Sequence, residues 1–195
     1  MKKRTIFFLG LLLTASISFA QDSKFSASVS YPVTISDVLF DNYSGVLDVG
    51  LGYKFYNNSK LSAGLLLNSN LYSKKEDFSA GSSIKESLHT LQPRGFVEYN
   101  IGKTNKLKPF VGIGYSIVFL KVDVRDPNNA FNGDSVEKDN KGFVNLNFGI
   151  SYDMLDNLFL IAQFDYLSRS NKNGLMSYSI PNKMETIKLG IGYRF

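Results

Sequence analysis

Alternation with a period of two residues constrains this chain more than any other feature. It recurs in eight segments, and no helical period of comparable length competes with it. In the first, Phe25, Ala27, Val29, Tyr31 and Val33 alternate with Ser26, Ser28 and Ser30. In the second, Leu47, Val49, Leu51, Tyr53 and Phe55 alternate with Asp48, Gly50, Gly52 and Lys54. Similar runs cover 61–71, 91–101, 111–119, 144–152 and 158–166, and the last is the closing stretch 187–195. Successive strand residues point to opposite faces, so each run has one apolar and one polar face.

The connections alternate in length. Short turns fall near 57–59, 102–106 and 154–157, and long polar links near 34–43, 73–87, 123–141 and 170–183. That is the meander expected of eight antiparallel strands with all short turns at one end. A soluble β-domain also alternates and stands as the alternative. Three features favour a membrane barrel. The runs span about 10 residues, as tilted strands crossing hydrocarbon do, whereas soluble strands average roughly 5–6. The polar face is rich in Gly, Ser and Asn, which suit a narrow interior. Tyr53, Phe55, Tyr99, Tyr152, Tyr193 and Phe195 gather near the short-turn end, where an interfacial aromatic girdle belongs. The expected fold is all-β, an eight-stranded antiparallel up-and-down transmembrane β-barrel over residues 21–195. Its apolar face looks outward at lipid and its termini lie on the short-turn, periplasmic side.

Residues 1–20 read as a signal peptide. Lys2, Lys3 and Arg4 precede the apolar stretch Ile6 to Leu13, and Ser18 and Ala20 are small residues at a cleavage junction. The apolar stretch is shorter than the roughly 20 residues of a spanning helix. Without residues 1–20 the charge balance falls from +5 to +2, with 19 basic and 17 acidic residues. Basicity therefore offers no argument for a nucleic-acid partner. The 195-residue chain has no cysteine, which excludes disulfides, thiolate chemistry and a lipidated cysteine anchor.

The chain stops on Phe195, inside an alternating strand, after Gly190, Gly192 and Tyr193. This terminus resembles the C-terminal assembly signal of bacterial outer-membrane barrels. The mature chain resembles the small OmpA/OmpX/OmpW-like outer-membrane barrel families. The resemblance implies residence in the cell outer membrane of a Gram-negative envelope, contact with outer-membrane lipid, and a transient encounter with the barrel assembly machinery through Tyr193 and Phe195. Barrels of the lipid A deacylase kind carry a His, a Ser two residues later and an acid. Here His89 is the one histidine and position 91 is Leu, so a solvated loop-end residue is expected instead. The 126–139 stretch is acidic but lacks the spacing of a calcium loop. The Gly-Ile-Gly stretches at 112–114 and 190–192 lie in strands and lead into no helix, so they are not nucleotide loops. No catalytic, metal-binding or cofactor-binding set is expected.

Four charged residues stand out on the polar faces. Asp48, Arg94, Asp165 and Lys188 each lie about seven residues from the short-turn end, hence at similar height at about 3.3 Å per residue. Asp165 and Lys188 fall on neighbouring strands, and Asn68 stands between Asp48 and Arg94. Charge pairing across the lumen is expected, and with it a blocked, structural, porin-like barrel whose external loops make contacts. The alternative is transport or binding of a small solute, apolar ones included, through the barrel, and the third reading is a lipid-modifying barrel enzyme.

Overall fold

The structure, a computed structural model, describes residues 24–35, 43–77, 83–102, 106–125, 135–169 and 183–195. The expected leader, residues 1–20, and its cleavage junction lie outside them. Eight strands follow in order: β1 (Phe25–Thr34), β2 (Ser44–Asn57), β3 (Leu61–Asp77), β4 (Ser83–Tyr99), β5 (Leu107–Arg125), β6 (Ser135–Asp153), β7 (Leu158–Ser168) and β8 (Lys183–Arg194). Each pairs antiparallel with its neighbours in sequence, and β8 returns to β1 to close a barrel. Closure gives every strand two partners, as a hydrocarbon environment demands of backbone N–H and C=O groups. The last link of the seam is Phe195, whose N–H donates to the carbonyl of Phe25 at 2.9 Å.

The apolar face points outward. Leu51, Leu65, Val111, Ile113, Phe148 and Leu189 are each more than half exposed, a loss of hydrophobic free energy that only a lipid surround removes. Near the short-turn end Tyr53 pairs with Phe25, Tyr99 with Leu61, Tyr152 with Leu107 and Tyr193 with Leu158. These tyrosines are exposed, with the level placement of an interfacial girdle.

The long links at 73–87 and 123–141 are a correction. Most of each is strand, because β3 runs to Asp77, β4 starts at Ser83, β5 runs to Arg125 and β6 starts at Ser135. In these extensions the polarity of the wall reverses. Tyr72, Leu88, Val118, Leu120, Val122 and Phe143 point inward, are buried and form one apolar cluster with Leu167, Met184 and Tyr43. At the same level Lys75, Lys85, Lys121 and Lys138 are exposed on the outside. Beyond the lipid band the outer wall meets water and headgroups, so the residues that cover it must be polar. The bore there is filled as a soluble core is filled.

One glycine is required by close approach. A Cβ on Gly114 of β5 would stand 2.1 Å from the Pro93 carbonyl oxygen and 2.7 Å from Cγ of Arg94. Its absence lets the Arg94 side chain cross β5 on its way into the bore.

Candidate functional site: a charged ring across the bore

Asp48 on β2, Arg94 on β4, Asp165 on β7 and Lys188 on β8 all point into the barrel, and all are nearly inaccessible to solvent. The structure brings the four together. Lys188 Nζ lies 2.9 Å from Asp48 Oδ2 and 2.7 Å from Asp165 Oδ2. Arg94 Nη1 donates to Asp165 Oδ1 at 2.8 Å. Asn68 of β3 joins the remaining ends. Its Nδ2 donates to both Asp48 oxygens, at 3.0 and 3.1 Å, and its Oδ1 accepts from Arg94 Nη2. Asp48, Asn68, Arg94, Asp165 and Lys188 thus form a closed ring of side chains.

Two acids and two bases make the ring neutral, which is what permits four charges to leave water together. Gln163 Nε2 donates to Asp165 Oδ1 at 2.5 Å. Small inward residues on β1 make the seam crossing possible. Ser30 is paired with Asp48 and Pro32 with Lys188, so the lysine reaches over β1 without a large side chain in its path.

Nearer the short turns lies a second polar layer that the sequence reading did not assemble. Lys54 donates to Glu98 at 2.5 Å, Lys108 Nζ lies 2.7 Å from Asp153, and Arg194 pairs with the same Asp153. The Arg194 guanidinium also stacks over Phe159, 4.2 Å from its ring centre. The readable signal was the alternation that puts Lys54, Glu98 and Arg194 on the inward faces near the turns. Which acid meets which base depends on the barrel's closure. Between the two layers a cavity of about 60 Å³ is lined by Ser26, Ser28, Ser30, Phe96, Phe110 and Phe159, among others. That is room for a few waters rather than for a solute.

Towards the opposite end the apolar cluster fills the bore. Tyr43 folds against it and donates its hydroxyl to Glu86, while its carbonyl accepts from Thr34 Oγ1 at 3.0 Å. Burial raises the Tyr43 phenol well above its ordinary range, and the Glu86 carboxylate raises it further, so it remains a donor. His89 is not a loop-end residue but sits within β4, on the outer wall. It is bonded to Ser69 Oγ at 2.8 Å and stacked on Phe119 at 5.8 Å between ring centres. Among the described residues no group of three or more His, Asp or Glu side chains is placed to hold a metal ion.

Tyr193 is exposed on the outer wall, where its hydroxyl accepts from Asn157 Nδ2 at 3.1 Å. Its ring meets that of Phe195 edge-on at 5.1 Å. Both aromatics of the terminus therefore face the membrane side of the barrel.

Comparison with known proteins agrees with this architecture. The model of the outer membrane protein beta-barrel domain family matches residues 5–195. The chain belongs to that family, and its place is the outer membrane. Similar solved folds include a major outer membrane protein from Thermus thermophilus, with TM-score 0.61 and 15% identity over 88% of this chain and 99% of that one. Ail, the attachment invasion locus protein of Yersinia pestis, has TM-score 0.56 and 16% identity over 88% and 97%. OprG from Pseudomonas aeruginosa has TM-score 0.52 and 14% identity over 88% and 95%. No protein of curated function matches the sequence.

Proposed function

We propose that this outer-membrane barrel is a sealed, structural member of its family, anchored by its lipid-facing wall and presenting the β3–β6 ends outside the cell. The observation that carries this reading is the five-residue ring of Asp48, Asn68, Arg94, Asp165 and Lys188, which draws side chains from five strands into the bore. A solute moving along the axis must break ion pairs whose members are buried, at a cost of several kcal/mol for each charge left unpaired. The apolar cluster beyond the ring adds a second obstacle of different chemistry, because opening it exposes core surface. The short turns and both ends of the barrel domain lie on the periplasmic side. Tyr193 and Phe195 serve the assembly machinery there, and residues 1–20 serve export. The function then lies in the outer wall and loops and not in transport or catalysis.

The test is conductance of the purified mature protein in a planar lipid bilayer. The expected result is little or no steady current across the voltages at which diffusion pores of larger barrels stay open. A large, steady wild-type conductance would overturn the sealed reading.

A further inference from the structure

One position on the lipid-facing wall is not explained by the fold of a single chain. Along β4 the outward residues are Leu91, Pro93, Gly95, Val97 and Tyr99, since Gln92, Arg94 and Glu98 are buried in the bore. Gly95 stands next to Arg94 of the ring, near mid-depth. Its row is otherwise bulky, with Leu65 on β3 and Ile113 on β5 as its ladder partners. Glycine weakens a strand interior, and there it marks a bulge, a tight bend or the close approach of another group. The register runs through Gly95 without a shift on either side, which excludes a bulge. Its φ is not positive, as it is at Gly102. An added Cβ would meet nothing within 4 Å. Neither the backbone nor a neighbour in the same chain requires a glycine here, which leaves an approach from outside.

The surroundings have the shape of half an interface. Beside Gly95 the β4–β5 ladder carries no pairing at Gln92 and Pro93, and proline brings no N–H to it. A groove of about 780 Å³ runs from Pro93 and Gly95 over Leu67, Leu65 and Leu51 to Phe25. That is room for several side chains rather than one. On the other flank Val111, Ile113 and Phe148 project, each more than half exposed. Recess and ridge thus lie on opposite sides of one strand with little outward bulk. Copies inserted in one membrane share an orientation, so a closed pair has its two-fold axis along the membrane normal. That axis, placed at Gly95, lays the β5–β6 ridge of each copy towards the β1–β3 recess of the other. Strands in such barrels tilt by about 35–45°, so the two β4 strands lean opposite ways and cross at roughly 70–90°. Strands that cross so steeply meet at one point. A residue without a side chain at that point lets the walls come together, as small residues do between membrane helices.

We infer that the chain forms a homodimer in the outer membrane through its β3–β5 wall, with the two Gly95 residues at the centre. A fluid acyl chain can follow a groove between larger side chains, whereas a second strand needs the backbone-level gap that Gly95 supplies. Half-exposed side chains of this size contribute on the order of 100 Å² each, so recess and ridge together reach the roughly 800 Å² per partner of a specific interface. The pairing concerns the outer wall alone and is independent of whether the bore conducts.

The test exploits the absence of cysteine from the chain. Val97→Cys places one thiol on β4 close to the crossing point, and Leu160→Cys places one on the outer wall of β7. The native side chains there are equally exposed, at 43% and 42%. Intact outer membranes holding each full-length variant are treated with a short, membrane-permeant bismaleimide. Crosslinked dimer is read on a denaturing gel, and heat-modifiable mobility verifies folding. Val97→Cys should crosslink several-fold more than Leu160→Cys. Adding Gly95→Leu to Val97→Cys should reduce the dimer to the Leu160→Cys level. Adding Ala162→Leu instead, which puts bulk on β7, should leave it unchanged. Equal crosslinking of the two single-cysteine variants would mean random collision and overturn the dimer. Crosslinking that survives Gly95→Leu in folded protein would overturn the interface. Absent crosslinking, together with copurified phospholipid that Gly95→Leu removes, would assign the groove to an acyl chain and overturn the dimer as well.

Discussion

The ammonium of Lys188 lies 2.9 Å from the carboxylate of Asp48, although the two are 140 residues apart and β1 stands between their strands. This contact ties β8 to β2 across the closing seam. The same ammonium holds Asp165 on the neighbouring β7 at 2.7 Å. One lysine therefore spans β7, β8 and β2, and the ring is a feature of the closed barrel rather than of any hairpin within it.

The first expectation concerns that ring. Removing Arg94 by Arg94→Met should cost about 3–5 kcal/mol, because Asp48 and Asp165 then share the single cation of Lys188 and leave one negative charge unbalanced in a buried place. Asp48→Asn in the same background leaves Asp165 with Lys188, a neutral pair, and should restore part of the loss. Urea unfolding of the protein in detergent micelles, for the two single variants and the double, measures the coupling. Strictly additive losses would mean that the four charges act separately.

The reversal of polarity along β5 predicts opposite outcomes at adjacent positions. Leu120 is buried in the apolar cluster, while Lys121 faces outward with about half of its side chain exposed. Leu120→Ala should cost about 2–5 kcal/mol by leaving a cavity. Lys121→Leu should change stability by less than about 0.5 kcal/mol, as surface substitutions do. The same unfolding assay applies, and similar costs for both changes would contradict the reversal.

Gly114→Val should impair folding in a way that Gly95→Val does not. A Cβ at Gly114 meets backbone at 2.1 Å, whereas one at Gly95 meets nothing within 4 Å. The heat-modified and unmodified bands on a cold gel give the folded fraction. Equal folded fractions would show that the strands can part to admit the side chain.

Phe195→Asp is expected to slow assembly far more than Leu155→Asp, although Leu155 is the more exposed of the two. A charge near the interface costs only about 0–1 kcal/mol in a barrel, so stability alone predicts two mild variants. Pulse-chase appearance of protease-resistant barrel in cells separates the rates. If both mature at the same speed, the terminus has no special part in assembly.

The mature protein in membrane fractions should begin at Gln21, after the Ser18-Phe19-Ala20 junction. Intact mass decides this. Retention of the first 20 residues would mean that they anchor rather than export the chain.

Much of this molecule is present in the order of its residues. Period two assigns each side chain to a face, so Leu47, Val49 and Leu51 face outward while Asp48, Gly50 and Gly52 face inward, whatever the neighbours of β2 turn out to be. Eight such runs with one apolar face each demand a lipid surround, and lipid in turn forbids open edges. The barrel, its inward charges and its membrane residence follow from that logic. Height and partnership do not. Whether 73–87 and 123–141 were polar links or strands depended on where the lipid band ends. Beyond it the meaning of the alternation inverts: Val122 goes in and Lys121 out. Nothing in a period of two marks that level. Partnership depends on register and closure. Lys188 meets Asp48 because β8 returns to β1, and Lys121 faces Lys138 because β5 and β6 are paired at one register and not another. A slip of one residue would carry every one of these side chains to the opposite face. Only the closed tertiary structure, in which all eight ladders must be satisfied at once, selects the register that joins the ring inside and gathers the lysines outside.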